Sequence, residues 1–202
     1  MPGTSWSSSG LDAVPSDAVS IATRKGDDGT TGLLYGGRVR KDSARPEAYG
    51  QVDEAQAFLG VARAATSPGS EIDTVLVSLQ RDLWVLMADL ATDESNRHKL
   101  VAGTSLVSAA MVARLDELLA DYETRFEMPR EFVVPGGTVV GAHLDVARTV
   151  VRRAERVAVA LAPESTDALA YLNRLSDLLW ALARWQDGTS LTARSSPPQG
   201  ST

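Results

Sequence analysis

Arginines recur at four-residue intervals in the segment RTVVRRAER (148–156). On a helix, Arg148, Arg152 and Arg156 share one face, with Glu155 beside them. Like charges at that spacing repel by about 0.2–0.5 kcal/mol per pair. An anion opposite that face would relieve the repulsion, either carboxylates of the protein or a phosphorylated ligand; a solvated charged face is the plain alternative. A second candidate is TRKGDDGTTGLLYGG (23–37). Its glycines let the backbone approach an anion closely, and successive N–H groups can form a phosphate-binding concavity. Arg24, Lys25, Arg38, Arg40, Lys41 and Arg45 surround it with positive charge. Asp27 and Asp28 would repel phosphate unless they tie the loop down or meet Mg2+. Neither GxxxxGK[ST] nor GxGxxG occurs, so the stretch alone reads equally as a flexible loop or a nucleotide site.

Other chemistry is sparser. Asn173, Asp177, Trp180 and Arg184 form a polar stripe beside a leucine face, the mark of a subunit contact or a cavity lining. Asp53 and Glu54 stand in an otherwise bland helix and could pair with the arginine face. His98 and His143 are far apart, with no HxxxH or ExxH spacing, which argues against a histidine metal site. GxSxG is absent, so a serine hydrolase has no support. The chain has no cysteine, which excludes disulfides, thiolate metal sites and cysteine nucleophiles.

These groups must be held by a chain of 202 residues, enough for one domain with a full core. The net charge of −6 gives no bulk attraction to nucleic acid. The first basic residue is Arg24, so no basic n-region of a secretory signal is seen. No apolar run approaches the ~18–20 residues of a membrane span. No nucleic-acid or membrane partner is expected, and a reducing cytoplasm is the expected compartment.

Residues 1–20 and 189–202 are Ser-, Gly- and Pro-rich and read as a disordered leader and a disordered tail around one domain, 21–188. The segment 21–46 has no helical period and reads as a long irregular loop, a kind that is usually functional or disordered. Five helices come next by apolar periodicity: about 46–65, 71–90, 105–123, 138–161 and 166–185. Leucine stripes supply the core, and modest connections predict an all-α, antiparallel helix bundle.

Five segments occur here in a fixed order: TRKGDDGTTGLLYGGRVRKDSAR, AYGQVDEAQAFLG, FVVPGG, ARTVVRRAER and YLNRLSDLLWALAR. In this the chain resembles PduO-type ATP:cob(I)alamin adenosyltransferases, over about Ile21 to Arg184. The resemblance implies a five-helix bundle with an irregular N-terminal ATP-binding segment, assembled as a homotrimer with sites at subunit interfaces. It implies transfer of the 5'-deoxyadenosyl group of ATP to cob(I)alamin, with release of triphosphate. A protein that holds or delivers ATP and corrinoid with little turnover is the alternative.

The resemblance also assigns roles. Thr23, Arg24, Gly26, Asp27, Thr30, Thr31 and Lys41 match the N-terminal ATP segment. Arg152, Glu155 and Arg156 match the helical part of the ATP site, and Asn173 a residue near the nucleotide. Asp53 and Arg148 match a salt bridge between subunits, and Asp53, Phe132, Arg148 and Arg152 stand as the catalytic set. Phe132 matches an aromatic wedge under the corrin that keeps Co(II) four-coordinate and easier to reduce; a plain core aromatic is the competing reading. Mg2+ is expected on the triphosphate, with no direct protein ligand. A flavoprotein reductase and an adenosylcobalamin-dependent enzyme are the implied protein partners. Gln56, Ala57 and Trp180 stand where the family usually has Asn, Ser and Phe.

Overall fold

The computed structural model describes residues 22, 24–161 and 166–194. The expected leader, Thr23 and residues 195–202 lie outside the described residues. Five helices carry the fold: α1 Ala44–Ala64, α2 Glu71–Leu90, α3 Ala109–Glu123, α4 Val139–Ala158 and α5 Thr166–Asp187.

Local chemistry sets their ends. Helix α2 has the limits expected from its leucine period, because Ser70 caps it by accepting from Asp73 N. Helix α1 starts earlier than expected: Glu47 N already donates to Ser43 O at 3.1 Å. Pro46 sits in that first turn, where a missing N–H costs nothing. Helix α3 starts later than the expected Ser105. Val101 O collects the N–H groups of Thr104, Ser105 and Leu106, and Ser105 Oγ accepts from Val101 N, so a tight turn takes those residues. Helix α4 is capped by Thr138, whose Oγ1 accepts from Gly141 N at 2.9 Å, and it tightens into a 3-10 turn over Val159–Leu161.

The apolar stripes become one core. Leu76, Leu79, Leu83 and Leu86 of α2 are fully buried with Val52 and Leu59 of α1 and Leu172, Leu175, Leu179 and Leu182 of α5. Helix α4 packs most extensively against α1 and α5, while α2 lies on α1 and α3 on α5. This is a helix bundle, and no described helix is long and apolar enough to cross a membrane.

Two segments differ from expectation. The 21–46 region is not irregular throughout: β1 Thr30–Gly32 pairs antiparallel with β2 Arg38–Arg40, in register Thr30 to Arg40. Leu33 N donates to Gly37 O and Leu34 N to Ala91 O, which closes the hairpin and docks it on the end of α2. The start of the expected tail is also placed, because Val134 N donates to Leu191 O and Ala193 N to Phe132 O.

Candidate functional site

The hairpin makes a cradle. Arg24, Gly26, Asp27, Thr30, Thr31 and Lys41 line one open cleft of about 450 Å³, with Lys25, Gly32 and Arg38 completing its wall. Every described residue assigned from sequence to the N-terminal ATP segment is therefore in one place. Lys41 Nζ lies 3.0 Å from where a Cβ on Gly26 would stand, so only glycine lets the ammonium approach the loop backbone without displacing it. Lys41 N in turn donates to Gly29 O at 3.0 Å, closing the cleft.

Asp28 does not line the cleft; it ties the loop down. Its Oδ1 accepts from Thr30 N at 2.9 Å and Thr30 Oγ1 at 2.8 Å. Those bonds, the hydroxyl's first, hold its carboxyl below the usual range. Arg38 was not among the expected site residues. It donates to Thr30 Oγ1 and, at 2.6 Å, to Lys25 O, holding the two sides of the cradle together. Sequence placed it only among the cations around the segment; its bond to Thr30 follows the cross-strand diagonal, visible once the hairpin is known.

A second group lies on α4 and α5. Asn173 Nδ2 donates to Glu155 Oε1 at 3.1 Å, joining the two helices. Arg152 and Arg156 are exposed beside it, and Arg156 Nη1 donates to Arg152 O. Neither has a carboxylate partner among the described residues. Among the described residues, the repulsion expected from their spacing is thus not answered by a carboxylate. The neighbouring Arg153 is answered: it pairs with Glu54 and donates to Gln51 Oε1 at 2.6 Å. Glu54 therefore meets the arginine helix at Arg153, off the face of Arg148, Arg152 and Arg156.

The third group surrounds the α4 N-terminus. Arg148 Nε donates to Asp145 Oδ1 at 3.1 Å, and with Pro135 and Gly136 it lines an open, largely apolar cavity of about 310 Å³. Asp53 is exposed and makes no ion pair with Arg148 within the chain. Phe132 is 90% exposed, which rules out the core-aromatic reading in this chain. It borders a cavity of about 360 Å³ with Pro129, Arg130 and Ala193.

Arg184, expected in a polar stripe that marks a subunit contact or a cavity lining, is 1% exposed. Its Nη2 reaches Asp145 Oδ2 at 2.6 Å and Asp187 Oδ2 at 3.0 Å, so two buried carboxylates draw it inward. Asn173 and Asp177 of that stripe do face outward, and Trp180 packs edge-on against Phe126. The Gln56 side-chain amide donates to Gln80 O at 3.4 Å and the Gln80 amide to Gln56 O at 3.3 Å, joining α1 and α2. No hydrogen bond or ion pair among the described residues joins the cradle to the α4–α5 group.

Among the described residues no cluster of three His, Cys, Asp or Glu side chains could hold a metal ion. The cradle's donors are ammonium, guanidinium, hydroxyl and backbone N–H groups, which suit a polyanion. A divalent ion fits here only as one carried on the polyanion's own oxygens.

The family model described as cobalamin adenosyltransferase matches residues 21–186. The corrinoid adenosyltransferase of Mycobacterium tuberculosis strain H37Rv is 42% identical over 189 residues, covering 86% of this chain and 96% of that protein. That of Citrobacter freundii is 39% identical, covering 84% and 96%. A variant PduO-type ATP:corrinoid adenosyltransferase from Lactobacillus reuteri, complexed with cobalamin and ATP, superposes with TM-score 0.78 at 30% identity. The match covers 88% of this chain and 98% of the other.

Proposed function

The chain belongs to the cobalamin adenosyltransferase family, and on that premise we infer that it transfers the 5'-deoxyadenosyl group of ATP to cob(I)alamin. The products are adenosylcobalamin and triphosphate. The observation that carries this reading is the cradle, where the described N-terminal candidates line one cation-rich cleft. A delivery protein without turnover is not favoured, because the relatives are named as adenosyltransferases and match across nearly their whole length.

In this reaction the electron pair of Co(I) attacks C5' of ATP, the Co–C bond forms, and the C5'–O bond breaks. Its electron pair leaves with the triphosphate. No proton need move, so the chain's task is placement and charge. Arg24 and Lys41 meet the leaving triphosphate, with Thr30, Thr31 and the Gly26 backbone as hydrogen-bonding partners. Arg152 and Arg156, without a carboxylate partner among the described residues, supply further charge to the nucleotide, and the Glu155–Asn173 bond fixes their edge of the site. Mg2+ on the triphosphate would neutralise charge there, with the Asp27 carboxylate on the cleft wall. Phe132 and Arg148 face the corrinoid. Asp53 and Arg148, apart in the single chain, are the pair expected to meet between subunits. That separation and the unlinked cradle both support a homotrimer in which each site is completed by a neighbouring copy. A reaction of Co(I) with ATP suits a reducing cytoplasm, with a flavoprotein reductase upstream and an adenosylcobalamin-dependent enzyme downstream.

The test is anaerobic incubation with reduced cobalamin and MgATP, monitored by the spectrum of the Co–C product and by triphosphate release. One triphosphate per adenosylcobalamin is expected. Binding of both substrates with no product would return the delivery reading.

A further inference from the structure

Residues 132–138, which carry Phe132, are gripped at one end by the segment after α5 and at the other by Asp187, the last residue of α5. At the near end Ala193 N donates to Phe132 O and Val134 N donates to Leu191 O, both at 2.8 Å, and Val133 opposes Thr192 in an antiparallel bridge. At the far end Asp187 Oδ1 accepts from Thr138 N at 2.8 Å and Thr138 Oγ1 at 3.0 Å. The same carboxylate lies against Gly137 and Gly141, where a Cβ would collide with it. Gly188, at φ +67°, turns the chain between the two grips, a conformation glycine adopts at no steric cost.

The side chain contrasts with its backbone. The Phe132 backbone is pinned, yet its ring is 90% exposed and gains nothing from this chain's core. Pinning a backbone beneath an exposed ring serves to place that ring against something outside the fold.

We propose that residues 191–193 are a positioning strap for the corrinoid half of the site, acting through the backbone of Phe132 without touching substrate. The proposal rests on the reading that Phe132 faces the corrinoid.

Three variants test it. A chain ending at Arg194 keeps the strap, and a chain ending at Gly188 lacks it. Ala193→Pro removes the N–H that donates to Phe132 O while keeping the chain, and Ala193 lies in a turn, a setting proline tolerates. Each is measured for KM of ATP, KM of cob(I)alamin and the spectrum of bound Co(II) corrinoid in the presence of ATP. The chain ending at Arg194 should match the full chain. The chain ending at Gly188 and Ala193→Pro should raise the cob(I)alamin KM about ten-fold, the scale of one or two lost hydrogen bonds. Their Co(II) spectrum should shift from four- towards five-coordinate while the ATP KM holds. An unchanged cob(I)alamin KM and spectrum in folded Ala193→Pro overturns the strap. So does a parallel loss for both substrates together with a lowered melting temperature. Phe132→Ala separates the two ideas. If it alters corrinoid KM and spectrum while Ala193→Pro does not, the strap falls and the reading of Phe132 stands. If Phe132→Ala alters neither, that reading falls and the strap with it.

Discussion

Replacing Arg184 with Met should cost a large fraction of the fold's stability, although the side chain touches no substrate. The guanidinium is 1% exposed and lies between Asp145 and Asp187, at 2.6 and 3.0 Å. Methionine fills much of its volume, so the cost comes from the carboxylates left behind. Removing one partner of a buried pair costs about 3–5 kcal/mol. Asp145 keeps Arg148 Nε at 3.1 Å, and Asp187 keeps the amide and hydroxyl of Thr138. Those remaining partners place the effect near the lower bound, about 3 kcal/mol. For a chain of this size that lowers the melting temperature by roughly 6–12 °C. Circular dichroism melts at one fixed protein concentration read it directly. Adding Asp145→Leu should recover part of the loss, since an apolar pair of similar volume is often neutral against an ion pair. A melt of Arg184→Met within about 1 °C of the parent would refute the reasoning, because a shift that small is under 1 kcal/mol.

The cradle predicts that Arg38→Ala, which frees Thr30 Oγ1 and Lys25 O, raises the ATP KM about ten-fold. The cob(I)alamin KM and helix content should be unchanged, and equal effects on both substrates would count against a cradle role. Arg152→Lys keeps the charge but loses the planar fork, so turnover and ATP affinity should fall and Arg152→Ala should fall further. Two silent variants would make that face plain solvated surface. Burial pushes the Tyr122 hydroxyl from 10.0 up to about 12. A raised value favours the protonated phenol in the fold, so its contribution is intact below pH 10.0 and is lost as pH rises towards about 12. Tyr171 is shifted the same way by burial and acts in both proteins, so the comparison is with Tyr122→Phe. Chemical denaturation between those pH values should show a smaller alkaline loss in Tyr122→Phe, and identical slopes would contradict the shift.

Helix α2 was legible because its apolar period is a local signal, and the structure adds the Ser70 cap at its start. Leu172, Leu175, Leu179 and Leu182 of α5 were legible for the same reason, and all four are buried. The grouping of Arg24, Gly26, Asp27, Thr30, Thr31 and Lys41 was legible from their motif, and the fold places them around one cleft. The hairpin was not, since TTG and RVR are three-residue strands too short to show alternation. Residues 191–193 looked like tail because their pairing with 132–134 uses backbone atoms, which leave no trace in residue type. Arg184 read as part of a subunit contact or cavity lining because its position on a helix wheel does not reveal that Asp145, thirty-nine residues earlier, supplies a buried countercharge. Asp53 and Arg148 carry opposite charges in sequence, yet within the folded chain Arg148 takes the nearer Asp145. Sequence alone therefore determined the features set by local periodicity and motif: the helices, their buried faces and the residues of the cradle. Tertiary structure decided the features that depend on backbone pairing and charge across distant segments, because such contacts are set by where the packed helices bring the chain, not by any pattern along it.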